Sequence, residues 1–372
     1  MTSIIYVGMD VHTTNYTLCC YSMEDDRFFA EVQVEPDAKN ILKYLARIEK
    51  QQSRDCRIVC GYEAGCLGYS LYHQLHAHGI DCVILAPTTM MTKPGKRIKT
   101  DRRDARLISK CLAFHTYSPV YIPTEVDDAV KEYIRMRDDA NSALARVKQQ
   151  IIAFCIRHGK IHDGKSYWTN KHLEWLSSLD LGNKILSEVL QEYLIRYYQL
   201  REQVDMYDMR INELAQAEPY RQKVEKLSCF RGIAAHTALS FCVEVGDFRR
   251  FATAQQFASY LGLVPGECSS GDKQQYTGIT KAGNSHLRKL LVETAQVFGR
   301  SATKSGKSVA LKERQAKCDS LTVAYADKAN ARLKKKYFKI AMRSKVNIAK
   351  TAVAREMACF IWGMMTDNIS CA

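Results

Sequence analysis

Ile4-Ile5-Tyr6-Val7-Gly8-Met9-Asp10-Val11-His12 (IIYVGMDVH) is a β-branched and aromatic run that closes on an aspartate. Residues of this kind fit a pleated, half-buried surface, so the stretch predicts a strand over Ile4–Met9. A carboxylate at the end of such a strand needs a partner, because an unpaired charge in apolar surroundings is costly. Working outward, further strand-like runs cover Tyr16–Tyr21, Phe28–Val34, Arg57–Tyr62 and Asp81–Ala86. Helical periodicity covers Ala38–Lys50 and Leu67–His78, with Gly79 as a terminator, and another helix begins at about Asp101. Three strands, then helix, strand, helix, strand and helix predict a mixed α/β sheet.

Beyond about Asp127 the strand signals stop. Two long segments with apolar residues at three- and four-residue steps flank GKIHDGKSYW, predicting an antiparallel helical hairpin or coiled coil. Such a stripe is packing and carries no chemistry. After Lys226 short helices joined by Gly-containing turns prevail, and Gly232 fits either the turn of a helix-hairpin-helix, whose backbone amides can contact a phosphate, or an ordinary corner between two helices. The expected organisation is residues 1–125 as an α/β domain, 126–225 as the helical hairpin and 226–372 as a mostly α C-terminal domain.

Composition narrows the function classes. The chain has 372 residues, 46% hydrophobic and 25% charged, which is ordinary globular material. No apolar run reaches the roughly 18 residues of a membrane span, and no leader-like segment is evident, so a soluble cytoplasmic protein without a membrane partner is expected. The 14 cysteines fall mostly in apolar runs and lack paired zinc spacing, as expected for reduced thiols. Net charge is +14, and Arg300–Lys350 holds fifteen Lys or Arg against Glu313, Asp319 and Asp327. A block of that kind points to a polyanion, with nucleic acid the first candidate and a solvated helix face the plain alternative.

Four acids stand out. Asp10 and Glu63 (CGYEAG) each end an apolar strand, and Asp101 and Asp104 (KTDRRDA) lie three residues apart on one helical face. Thr100 or Asp101 could cap that helix, which would account for one acid but not both. Together the four could hold two divalent ions roughly 4 Å apart, and hard oxygen ligands suit Mg²⁺ or Mn²⁺. Arg102, Arg103 and Arg106 supply cations for a phosphate backbone.

These blocks, GMDVH, GYEAG and KTDRRDA, together with GITKAGN…LR near the C-terminus, resemble the DEDD transposases, an insertion-sequence family of RNA-guided (bridge-RNA) recombinases related to pilin-gene-type DNA invertases. The resemblance runs through nearly the whole chain. It implies a RuvC-like, ribonuclease-H-like N-terminal domain with Asp10, Glu63, Asp101 and Asp104 as metal ligands. It also implies a C-terminal transposase domain whose serine becomes covalently linked to DNA.

Two serines compete for that role. Ser270 directly precedes Gly271, whereas Ser269 fits a Ser-Thr-Gly version of the block and lies ten residues before Ile279; Ser269 is favoured and Ser270 stays open. Lys273, Lys281 and Arg288 are the expected phosphate contacts there. The resemblance further implies DNA as substrate, a structured guide RNA as partner, association with the prokaryotic nucleoid, and a dimer or tetramer with composite active sites. The competing readings are an invertase of the same family, a RuvC-like nuclease that uses water, an actin-type ATPase, and an inactive nucleic-acid binder. The ATPase would need a later Gly-rich nucleotide turn, and none stands in convincing context.

Overall fold

The computed structural model describes residues 3–52, 56–90, 100–267, 276–300 and 306–369. The chain divides into two compact units, 1–122 and 123–372.

In the first unit, β1 (Ser3–Val11), β2 (Tyr16–Ser22), β3 (Arg27–Val34), β4 (Cys56–Glu63) and β5 (Asp81–Leu85) form one sheet in the order β3-β2-β1-β4-β5. β1–β2 and β2–β3 are antiparallel, while β4 runs parallel to both β1 and β5. The helices are α1 (Ala38–Gln51), α2 (Ser70–Ala77) and α3 (Asp101–Ala113). Every strand and helix anticipated from the sequence is present, with ends shifted by a few residues.

The alternation along β1 explains the layering. Ile5, Val7 and Met9 are buried in one cluster with Ile41, Leu45 and Ile48 of α1 and Leu71 and Leu75 of α2. Tyr6 faces the other way, into a cluster with Ile108, Cys111 and Leu112 of α3. Gly8 and Asp10 share that second face. A β-bulge opposite Leu18–Cys20 in β3 includes Ala30 at φ +52° and leaves Glu31 near the same helix.

The second unit is helical. α4 (Glu125–Arg157), α5 (Asn170–Ser177) and α6 (Lys184–Gln216) come first. α4 and α6 run antiparallel, because Arg137 meets Asp208 while Phe154 meets Tyr193. Their seam buries Leu144, Val147, Ile151, Leu190, Leu194 and Val204. A larger core gathers α7 (Arg221–Ser228), α8 (Ala235–Val245), α9 (Ala254–Tyr260) and α10 (Ser285–Ala295) with parts of α4, α6, α12 (Ser320–Ala341) and α13 (Val346–Met365). α11 (Val309–Gln315) packs on α7. Gly232, between α7 and α8, sits at φ +87° with Thr294 and Val297 against it. Such a conformation suits glycine alone among common residues at a crowded corner.

The Gly-, Ser- and Lys-rich stretch from Gly262 to Arg288 has the composition of an irregular loop, yet part of it is regular. Pro265–Glu267 (β6) and Tyr276–Ile279 (β7) pair as a short antiparallel ribbon. The strands are only three and four residues long, too short to stand out from the glycine- and serine-rich sequence around them.

Candidate active site

The acid cluster follows from strand register. Gly8 of β1 is paired with Gly61 of β4, and a Cβ on either would strike α3 or a residue packed on it: Ala105 O at 2.0 Å for Gly8, Leu112 Cδ2 at 2.8 Å for Gly61. Both glycines therefore face α3. Two residues further along each strand, Asp10 and Glu63 face the same side. The missing side chains let α3 lie directly on the sheet, which brings its first turn to the strand ends.

Thr100 caps α3, its hydroxyl accepting from the N–H of Arg103 at 3.4 Å. Neither Asp101 nor Asp104 is needed as the cap, and both sit half-buried in the first turn. Asp10, His12 and Asp101 offer ligand atoms that all lie within 4.8 Å of one another. Asp104 is close enough to act on Asp10 electrostatically. Glu63 is exposed at the end of β4 and stands outside that tight group.

Burial pushes the Asp10 carboxyl above the ordinary carboxylate value; the nearby His12 opposes this, and the charges of Asp104 and Asp101 add to it. Asp10 Oδ2 is buried and, apart from an ion pair at 3.3 Å with His12 Nε2, has no hydrogen-bond partner among the described residues. An orphaned carboxylate oxygen facing further acids is an arrangement that a divalent cation would relieve. The donor set, carboxylate oxygens with one imidazole, fits such an ion. Sequence reading alone gives His12 no role. The i, i+2 spacing from Asp10 is its available signal, since it places both on one face.

The neighbouring cations are less open than their sequence suggests. Arg102 and Arg106 both pair with Glu31, at 3.3 and 2.7 Å, and Arg106 also lies over the Phe28 ring. Arg103 is exposed on the first turn of α3.

In the second unit, Ser269, Ser270 and Lys273 lie outside the described residues. The flanking described residues form a stem. The Lys281 N–H donates to Gly262 O at 3.1 Å, and the Asn284 N–H donates to Tyr260 O at 3.0 Å. Gly262 and Gly283 both have positive φ, and a Cβ on Gly283 would sit 2.0 Å from Tyr260 O. Arg288 is drawn into this stem: its Nη1 donates to Leu261 O at 3.0 Å and Ala282 O at 2.9 Å. Lys281 remains exposed. Missed entirely by sequence reading is a buried charged cluster behind the stem, built on Asp138, Glu244 and His286. Those residues lie on three helices far apart in the chain, so no local pattern announces it.

Along Arg300–Lys350 several cations have protein partners. Arg332 and Lys336 both meet Glu356, and Lys307 meets Asp327 at 2.5 Å. Lys328, Lys335 and Lys339 are exposed along α12 at seven- and four-residue steps.

Acids gathered at the strand ends of an α/β sheet, and a second unit rich in cations, are features that enzymes acting on polyanions share. Sequence comparisons make the class specific. Residues 7–156 match the family profile of the DEDD transposases of IS110 type, and residues 224–314 match that of the IS116/IS110/IS902 transposase family. The chain is 32% identical over 340 residues to the transposase for insertion sequence element IS1533 of Leptospira borgpetersenii, covering 90% of this chain and 95% of that relative. It is 36% identical over 307 residues to y4qE of Sinorhizobium fredii, which bears a transposase name, covering 82% of this chain and 75% of the relative. With the transposase for IS1111A of Coxiella burnetii it shares 26% identity over 268 residues, covering 68% and 71%.

The chain belongs to the IS110 family of insertion-sequence transposases. It is a DNA-processing enzyme, and membership of a DEDD family implies dependence on a divalent metal. Among the described residues, Asp10, His12 and Asp101 bring ligand atoms close enough together to share an ion. No helix among the described residues is long and apolar enough to cross a membrane.

Proposed function

We propose that this transposase cuts and rejoins DNA through a protein nucleophile, Ser269 or Ser270, assisted by Mg²⁺ or Mn²⁺ at an acid site of Asp10, Glu63, Asp101 and Asp104. The carrying observation is the buried Asp10 oxygen, met only by His12 among the described residues, in a group whose ligand atoms include one of Asp101 within 4.8 Å. A bound divalent ion would supply charge neutralisation for a phosphate oxygen and lower the proton affinity of a hydroxyl. The protein's share is orientation. β1 and β4 hold two carboxylates at adjacent strand ends, and the capped first turn of α3 holds two more.

The reaction is a phosphoryl transfer with balanced bonds. The serine Oγ–H loses its proton as Oγ–P forms, one P–O bond of the DNA breaks, and the leaving DNA oxygen takes up a proton. Attack by a DNA hydroxyl on the phosphoserine then reverses these changes and rejoins the strands. The bond count is conserved, so no nucleotide cofactor is required. The fold reading that goes with it is a RuvC-like, ribonuclease-H-like domain for residues 1–125, a helical hairpin that assembles subunits, and a C-terminal transposase domain. The enzyme acts as a dimer or tetramer with composite sites, guided by a structured RNA. Arg103, Lys273 and Lys281 contact phosphates in this scheme.

Recombination by Asp10→Ala, Ser269→Ala and Ser270→Ala tests it. Loss of recombination with the Asp10 change and with one serine change, DNA binding being retained, is the expected result. Full recombination by both serine variants, singly and combined, would overturn the nucleophile assignment. Sequencing RNA that copurifies with the chain tests the guide, and the absence of any discrete RNA would contradict it.

A further inference from the structure

Behind the β6–β7 stem lies a charged cluster that takes no part in the acid site. His286, in the first turn of α10, has a carboxylate at each ring nitrogen: Glu244 Oε1 at 2.5 Å from Nδ1 and Asp138 Oδ2 at 2.7 Å from Nε2. A carboxylate at each ring nitrogen favours a proton on both, the imidazolium form. Burial works against that charge, but Asp138 and Glu244 more than offset it and raise the His286 pKa to about 9.

The charged groups around it come from α4, α8 and α6. α4 contributes Arg135, 3.8 Å from Glu244 Oε1, and Arg137, 3.1 Å from Asp138 Oδ1. α8 contributes His236, 3.0 Å from Asp138 Oδ1, besides Glu244 itself. α6 contributes Asp208, which accepts two bonds from Arg137 at 2.7 and 3.0 Å. Three cations, His286, Arg135 and Arg137, meet three carboxylates, Asp138, Glu244 and Asp208, with His236 beside them.

The free oxygen of Glu244 gives the cluster a direction. Oε2 accepts from Asn284 Nδ2 at 2.6 Å. Asn284 caps α10, its Oδ1 accepting from the Leu287 N–H at 3.0 Å, while its own N–H is held by Tyr260 O. The Tyr260 hydroxyl in turn donates to Glu244 O at 3.3 Å. Asn284 is therefore fixed on three sides at the point where the β6–β7 ribbon re-enters the helical body. A buried ion network is a poor source of stability, since apolar side chains of like volume serve as well; fixing one geometry is its better-attested use.

We propose that His286 and Glu244 are positioning residues for strand transfer: the imidazolium orients Glu244, Glu244 orients Asn284, and Asn284 sets the stem from which the serine segment extends. This inference rests on the serine reading given above.

The test uses the full chain, purified with the nucleic acid it carries, and a supercoiled plasmid bearing its gene with the flanking DNA. His286→Gln, Glu244→Gln and Asn284→Ser are compared with wild type for joining rate at saturating DNA, DNA affinity and pH profile. Serine still caps a helix but is too short to bridge to Glu244. Expected is at least a tenfold fall in joining rate with less than a twofold change in affinity. The alkaline loss of joining near pH 9 should be absent from His286→Gln. Joining at the wild-type rate by folded Asn284→Ser, or affinity falling in step with rate, would overturn the proposal. Asn284→Ser decides the matter alone if the other variants fail to fold. Dead serine variants beside a fully active Asn284→Ser would sink only the positioning role. Full joining by the combined serine variant would remove the serine reading and this inference with it.

Discussion

Gly8 of β1 and Ala105 of α3 approach so closely that a methyl group on Gly8 would lie 2.0 Å from the Ala105 carbonyl oxygen and 2.4 Å from the Ser109 nitrogen. Both obstacles are backbone, so they yield only if the helix moves. Gly8→Ala should therefore lift α3 from the sheet, costing about 1 to 3 kcal/mol in overpacking. The same shift carries Asp101 and Asp104 away from Asp10. Expected is a lowered melting temperature together with loss of strand transfer. A fully active, fully stable Gly8→Ala would contradict the close packing that assembles the acids.

Asp10 reports on the metal. Its carboxylate is buried, lacks a hydrogen-bond partner on Oδ2 and faces like charges, so its ionised form costs stability when no cation is present. Asp10→Asn should raise the melting temperature in chelator and abolish recombination. Adding Mg²⁺ or Mn²⁺ should stabilise the wild type, by about 2.7 kcal/mol at a hundredfold excess over the dissociation constant, and leave the variant unmoved. Differential scanning fluorimetry with and without the ions reads both effects.

The His286 cluster makes stability depend on pH. His286 has its pKa raised to about 9, so its contribution is complete below the ordinary value near 6.5 and is lost as pH rises through 9. Asp138 and Glu244 have lowered pKa values despite burial, because His286 and their other donors favour the ionised forms. Their contribution is present above ordinary carboxylate values and fades as pH falls below them. Between pH 6.5 and 9 the wild type should lose stability that His286→Gln does not lose. Parallel melting curves at pH 6.5 and 9 supply the comparison; equal slopes for the two proteins would rule out a clamped imidazolium.

Lys328, Lys335 and Lys339 give α12 an exposed cationic stripe, unlike Arg332 and Lys336, which are tied to Glu356. Neutralising the three to Gln should weaken DNA binding equally for related and unrelated sequences. The slope of log affinity against log salt should fall by about 0.9 for each phosphate that is no longer neutralised. Neutralising Arg332 should have a smaller effect on that slope.

The α/β sheet was readable because its strands carry strong β-branched and aromatic signals and its helices are amphipathic. The candidate acids were readable for a related reason: Asp10 and Glu63 interrupt apolar runs, and Asp101 and Asp104 share a helical face. Harder to see was what surrounds them. The pairing of Arg102 and Arg106 with Glu31 depends on a bulge in β3 that re-aims one side chain, which no periodicity reveals. The β6–β7 ribbon was hidden by the shortness of its strands, three and four residues. Arg288, expected to meet phosphate, has Nη1 bound to two carbonyls because a pair of tight glycine turns brings Leu261 and Ala282 together. The Asp138–His286–Glu244 cluster joins positions more than a hundred residues apart in part, and only packing brings them together.

The most direct test of serine-mediated strand transfer is to trap the reaction with denaturant and map any protein–DNA adduct by mass spectrometry. The account predicts a nucleotide phosphate on Ser269 or Ser270, present with divalent metal and absent from Asp10→Ala. Cut DNA with free 3′-hydroxyl and 5′-phosphate ends and no adduct, or an adduct on any other residue, would contradict it.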